Sequence, residues 1–165
     1  YGGIVIDTRE FTNQTGVRTF EAAAYLRRCG ADIIRIRKTF REDFIDYQAK
    51  ADTISKADIY REYYAISTLE RAGTESPTVL CAKAANELLN IRGIKASIVL
   101  TKVEDTVFLS ARSIDELNVQ VLMEKLGGGG HRTVAGAQMK GFTIEECIDK
   151  VRAAIDEMIE EGEVE

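Results

Sequence analysis

The chain has 165 residues, of which 45% are hydrophobic and 30% charged, with one proline and a formal net charge of −5. That balance excludes a disordered tail and suits one or two compact units with a real core. The negative charge argues against a long electrostatic track for duplex nucleic acid, and it leaves room for a small anionic ligand or a local basic patch.

No apolar run approaches a membrane span and no signal peptide is visible, so the chain reads as soluble, without direct membrane contact. Its opening, Tyr-Gly-Gly-Ile-Val-Ile-Asp, has no initiator Met and reads as part of a longer protein. Cys29, Cys81 and Cys147 are odd in number and lack CxxC spacing, so they read as buried, reduced thiols rather than disulfides or zinc ligands.

Ile4 to Ile6 form a short β-branched run ending at Asp7-Thr8, which predicts a buried strand delivering a carboxylate at its C-terminal end. Such an aspartate serves catalysis or merely caps a turn, and the pattern leaves both open. Phe11 to Val17 is polar and loop-like. Thr19 then caps a predicted helix carrying Phe20, Ala23, Ala24, Leu26 and Arg27, which stops near Gly30. Ile33 to Ile36 fits a strand or a helix. From Phe40 to Ala57 the spacing of Phe44, Ile45, Tyr47 and Ile54 predicts a helix that connects two lobes. The boundary is placed near residues 50 to 56, giving lobes 1–52 and 53–165.

In the second lobe, Ile59 to Leu69 reads as one strand, and Ser76-Pro77 starts a helix that ends near Gly93. Ala96 to Thr101 and Thr106 to Ala111 form a hairpin signal. Ser113-Ile-Asp-Glu116 fits a capping box for a helix over Leu117 to Leu126, and Asn118 and Gln120 read as plain polar helix residues. A strand over Ala137 to Phe142 follows, then a second capping box at Thr143-Ile-Glu-Glu146 and a long helix through Met158. The acidic tail from Glu160 to Glu165 reads as solvated. This order implies a mixed α/β, or α+β, sheet covered by helices.

Four consecutive glycines, Gly127 to Gly130, run into His131, the only histidine. Glycine is costly to order, so such a run after a helix suggests a backbone that something approaches closely. Bare N–H groups make an anion-binding concavity, and His131 adds a donor or a stacking surface. A floppy turn beside a surface histidine is the bland alternative, and the apolar segments on both sides argue against it. On the preceding strand, alternation puts Ser110 and Arg112 on one face, where hydroxyl and guanidinium can share a phosphate. Pattern alone favours an ordinary surface arginine and a capping serine there. Serine-elbow, Walker and metal-ligand spacings are absent from the sequence.

The run SARSIDELNVQVLMEKLGGGGHRTVAGAQ resembles the DHH-associated domain of the DHH phosphoesterase superfamily. The opening GIVIDTREFTNQTGVRTFEAAAYLRRCGAD is similar to the last part of the DHH catalytic domain. Both match in the right order, and within the superfamily they most resemble membrane-anchored cyclic-di-AMP phosphodiesterases. The resemblance implies hydrolysis of cyclic-di-AMP to the linear dinucleotide by a two-manganese (Mn2+) centre. It implies that Asp7 matches a metal ligand, that Gly128, Gly129, Gly130 and His131 match the substrate-binding loop, and that Ser110 and Arg112 are weaker nucleotide contacts. It also implies an upstream DHH half as partner, a possible homodimer and a cytoplasmic location beneath a membrane anchor. The remaining metal motifs of the family are missing from this chain, and one carboxylate does not hold two metals, so the chain alone is expected to be inert. Two rival readings stand beside this one: a nano-RNA, phosphoadenosine or single-strand nuclease activity of the same superfamily, and a non-catalytic tRNA-binding module.

Overall fold

The computed structural model describes residues 1–8, 10–12, 15–70, 76–114 and 116–162. The chain divides into two compact units, Tyr1–Asp43 and Phe44–Glu165. The boundary expected at residue 52 falls inside a helix of the second unit, whereas compactness divides the chain ahead of that helix.

The first unit holds helices α1 (Gly2–Asp7), α2 (Val17–Arg28) and α3 (Ile33–Thr39). The strand expected at Ile4–Ile6 is therefore corrected to a helix. Its β-branched residues have no strand to pair with among the described residues of this unit, and β preference is mostly a preference for a sheet to pack into. The backbone satisfies itself locally instead: Val5 N–H donates to Tyr1 O at 3.1 Å and Thr8 N–H to Ile4 O at 3.0 Å. Thr8 Oγ1 also donates to Ile4 O at 2.6 Å and accepts from Phe11 N–H at 3.0 Å, which closes the helix. Helix α2 begins at Val17 behind Gly16, ahead of the expected Thr19 cap. The ambiguous Ile33–Ile36 run is helix, capped by Asp32, whose side chain accepts from the N–H groups of Ile34 and Arg35. Phe11 stacks on Phe20 with ring centroids 5.4 Å apart.

The second unit carries helix α4 (Phe44–Ser55), strands β1 (Asp58–Tyr60) and β2 (Tyr64–Leu69), helix α5 (Pro77–Leu88), strands β3 (Ala96–Val103) and β4 (Thr106–Ser113), helix α6 (Val119–Lys125), strands β5 (Gly129–His131) and β6 (Val134–Lys140), and helix α7 (Ile144–Glu160). The strands form one mixed sheet in the order β1-β2-β3-β4-β6-β5. Only β2 and β3 run parallel, joined by the α5 crossover; the other neighbours are antiparallel. The single strand expected over Ile59–Leu69 is a tight hairpin, with Arg61 and Glu62 at positive φ in its turn.

Alternation along β4 assigns the two faces. Val107, Leu109, Ala111 and Ser113 are buried, and Thr106, Phe108, Ser110 and Arg112 are half-buried. The buried set joins Ala135, Ala137 and Met139 of β6 in a core closed by Leu122 and Met123 of α6 and Val151, Ile155 and Met158 of α7. On the opposite face, Ala65, Leu69 and Val99 pack with Leu80, Cys81, Ala84 and Leu88 of α5 and Ala49 of α4. The helices thus cover one face along β3, β4 and β6, and the other face around β2, β3 and β4, where α5 lies. Burial of this kind contributes about 1.5–3 kcal/mol for each large aliphatic side chain.

Candidate functional site

Helix α6 ends in a Schellman turn. Gly128 N–H donates to Met123 O at 2.8 Å and Gly127 N–H to Glu124 O at 3.0 Å. Gly127 takes φ +77°, the left-handed conformation this cap needs, which glycine adopts without strain. The chain then enters β5, so the glycine run is a helix cap followed by an edge strand rather than a loop.

The four glycines have different reasons to be glycine. A Cβ on Gly128 would overlap the carbonyl oxygen of Gly136 and come within 2.6 Å of Ala137 Cβ. A Cβ on Gly130, which has φ +149°, would come within 2.5 Å of Val134 O and of Ala135 Cα. At both positions the close visitor is β6 itself. Gly129 is the exception: a Cβ there meets nothing within 4 Å.

Register places the expected side chains in two adjacent rows. Ser110 on β4 faces Gly136 on β6, which faces Gly129 on β5; Arg112 faces Val134, which faces His131. Cross-strand partners share a face, so Ser110, Arg112, Gly129 and His131 lie together on the face opposite α6 and α7, where α5 packs over β3 and β4 and leaves the β6–β5 end open. Across three strands the rows span about 10 Å. Gly136 and Gly129 give the first row no bulk beyond Ser110, and a groove of about 530 Å³ opens there, lined by Phe108, Gly127, Gly128, Gly129, Gly136 and Gln138. Ser110, Arg112 and His131 belong to these rows without lining the groove itself. His131 is exposed, whereas Ser110 and Arg112 are half-buried. Arg112 Nη1 donates to its neighbour Ala111 O at 2.8 Å.

The hairpin that carries His131 is fixed from below. Val119 N–H donates to Arg132 O at 2.9 Å and Ser113 N–H to Thr133 O at 3.1 Å. Ser113 Oγ also donates to Leu117 O at 2.6 Å, so Ser113 ends β4 and does not open a capping box. Asp115, inside that expected box, lies outside the described residues. The cap of α6 is Asn118, whose side chain accepts from Gln120 N–H at 3.1 Å. Sequence reasoning missed Phe108 and Gln138 as groove residues; parity with Ser110 and Arg112 along β4 would have found Phe108.

Asp7 is exposed at the last position of α1. Among the described residues no three His, Cys, Asp or Glu side chains converge as a metal site. The ligand set of a two-metal centre is not among them, and Asp7 alone does not supply one. No helix among the described residues is long and apolar enough to cross a membrane. Of the cysteines, Cys81 and Cys147 are buried as expected and Cys29 is exposed, since it ends an α2 that buries only Ala23.

The fold and groove define an α/β domain with an open, glycine-floored groove at the β6–β5 end of its sheet. Residues 62–161 match the family model described as the DHHA1 domain, and the chain belongs to that family. It is 43% identical over 155 residues to the cyclic-di-AMP phosphodiesterase PdeA of Listeria monocytogenes, covering 93% of this chain and 23% of that protein. It is 44% identical over 161 residues to the cyclic-di-AMP phosphodiesterase GdpP of Geobacillus thermodenitrificans, covering 97% of this chain and 24% of that protein. The chain thus spans about a quarter of the length of these curated relatives. Among solved structures, an exopolyphosphatase-related protein from Bacteroides fragilis has the same fold, with a TM-score of 0.81 at 20% identity, over 94% of this chain and 48% of that one.

Proposed function

We propose that the sheet face bearing Gly128, Gly129, Gly130, His131, Ser110 and Arg112 holds the anionic part of a nucleotide, and that this chain is the substrate-holding part of a phosphodiesterase that opens cyclic-di-AMP to the linear dinucleotide. The observation that carries the reading is Gly129. The fold needs a glycine at 127, 128 and 130 for its own cap and packing, but a side chain at 129 would meet only the open groove. Bareness there serves whatever enters. The N–H groups of Gly127 and Gly128 are spent on the cap of α6, so it is the edge strand β5 whose backbone can donate to phosphate oxygens, without the desolvation and entropy of a long side chain. Ser110 adds a hydroxyl in the same row, Arg112 a permanent positive charge in the next, and His131 a donor or a stacking face at the rim. The activity named for the two relatives supports a cyclic dinucleotide as the ligand.

In this reading the chain's own share of the reaction is binding and orientation, which hold the phosphodiester in place for attack. A manganese pair would supply the hydrolytic chemistry, and Asp7 is the one residue of this chain that would serve as a ligand to it. The chain alone does not turn substrate over.

The test is a calorimetric titration of cyclic-di-AMP and of short RNA into the chain and into its Gly129→Val variant, with the melting curve as a control for folding. Loss of at least tenfold in cyclic-di-AMP affinity without loss of the fold is expected. Unchanged affinity would remove the glycine row from the site, and tighter binding of short RNA would overturn the choice of substrate.

A further inference from the structure

Beyond Gln138, which also lines the first groove, a second hollow of about 460 Å³ opens between the edge of β6, the end of α6 and the flank of α7. β5 pairs with β6 only from Val134 to Gly136, so the rest of that β6 edge carries no strand among the described residues. Lys140, Lys150 and the Phe142 ring line it, and a third ammonium group, that of Lys102, reaches the Phe142 backbone nearby. Lys150 Nζ sits 5.2 Å from the centre of the Phe142 ring. Lys102 Nζ donates to Phe142 O at 3.2 Å, and Lys140 lines the hollow with Phe142 and Lys150.

Among the described residues, none of the three lysines forms an ion pair with a carboxylate, although the chain as a whole carries a net charge of −5. The nearby carboxylates are committed elsewhere: Glu157 and Glu161 hold Lys125 at 3.2 and 2.8 Å, and Glu146 accepts from Thr143 N–H at 2.8 Å in the capping box of α7. Clustered, unpaired cations beside an aromatic ring attract a phosphate and offer a base a surface to stack on. Gly136 and Lys140 are separated along β6 by about 13 Å, too far for one phosphate to touch both ends but within reach of an extended nucleotide chain.

We infer that the hollow lined by Lys140, Lys150 and Phe142 is a subsite for a second phosphate, with its nucleoside, of a linear nucleotide chain whose first phosphate rests on the Gly129 row. The inference rests on the nucleotide reading above and adds to it a preference for ligands with more than one phosphate in line.

The experiment measures binding of adenosine monophosphate and of linear 5′-phosphorylated diadenylate to the 165-residue chain, to Lys140→Ala/Lys150→Ala and to Gly129→Val, across a salt series. Both lysines are exposed, and unchanged melting curves confirm the fold. The double lysine variant is expected to lose about tenfold in affinity for the dinucleotide and to flatten its log–log salt slope by about 1.4, with the mononucleotide unchanged. Equal loss for both ligands, or no loss for either, overturns the inference. The Gly129 variant separates the two failures. If it loses both ligands while the lysine variant is silent, only the second subsite fails; if it loses neither, the nucleotide reading fails.

Discussion

Replacing Gly128 with alanine adds one methyl group, and the structure says where it goes. The new Cβ overlaps Gly136 O and lies 2.6 Å from Ala137 Cβ and 2.7 Å from Ala137 Cα, against ordinary contact distances of about 3.5–4 Å. None of these atoms is a flexible side-chain end. β6 cannot retreat, because it is hydrogen-bonded to β4 from Val134 to Lys140 and its other face is in the core. The turn must therefore lift off β6, at a cost of about 2–3 kcal/mol from overpacking and lost strand pairing. For a chain of this length that is a drop in melting temperature of roughly 5–10 °C. Gly129→Ala, one residue on, meets no atom within 4 Å and is expected to stay within about 0.5 kcal/mol of the parent. Paired thermal melts followed by circular dichroism decide the matter. Equal damage at both positions, or a neutral Gly128→Ala, would refute the division of roles among the glycines.

The thiols separate by burial. Burial pushes the Cys81 thiol up to about 12, and burial with the nearby Glu146 carboxylate raises that of Cys147, whereas Cys29 is exposed. An aromatic disulfide reagent should label one thiol in the native chain and all three in denaturant; fast labelling of a second native thiol would contradict the packing of α5 or α7. At the β1 end of the sheet, Asp156 accepts from Arg61 Nε and from Tyr60 OH, each at 2.8 Å, and the Arg61 bond foremost holds its carboxyl below the ordinary range. A lowered folded value means stability that is present above the ordinary aspartate value of 3.8 and is lost as pH falls through the lower, folded value. Asp156→Asn should therefore be less stable than the parent at neutral pH, with the gap closing below pH 3.8, and a gap that persists in acid would point to packing instead.

Signals carried by neighbouring residues were the legible ones. The Thr143 capping box forms as the sequence predicts, with both reciprocal hydrogen bonds, and Ser76-Pro77 opens α5 at the predicted place. The hairpin of β3 and β4 likewise follows from two alternating runs around a short polar turn. What failed depended on partners far along the chain. Ile4–Ile6 has the composition of a strand but no sheet in its own unit to join, and it became helix. Ser113 looked like a cap, but its N–H and hydroxyl are engaged by Thr133 O and Leu117 O, so the cap passed to Asn118. The site residues were singled out by type, and their grouping into two rows follows from the β4–β6–β5 register, which no local pattern encodes. In the sequence the glycine run signals a close approach by a ligand; for Gly128 and Gly130 the close approach is β6, and only Gly129 is left facing an open groove.

The most direct measurement of the central claim is an amide NMR titration of the chain with cyclic-di-AMP. The largest shift changes are expected on Gly128 to His131, Ser110, Arg112 and Gln138, with the α6–α7 face of the sheet unmoved. Saturable binding whose largest changes lie elsewhere, with the Gly129 and His131 amides silent, would contradict it.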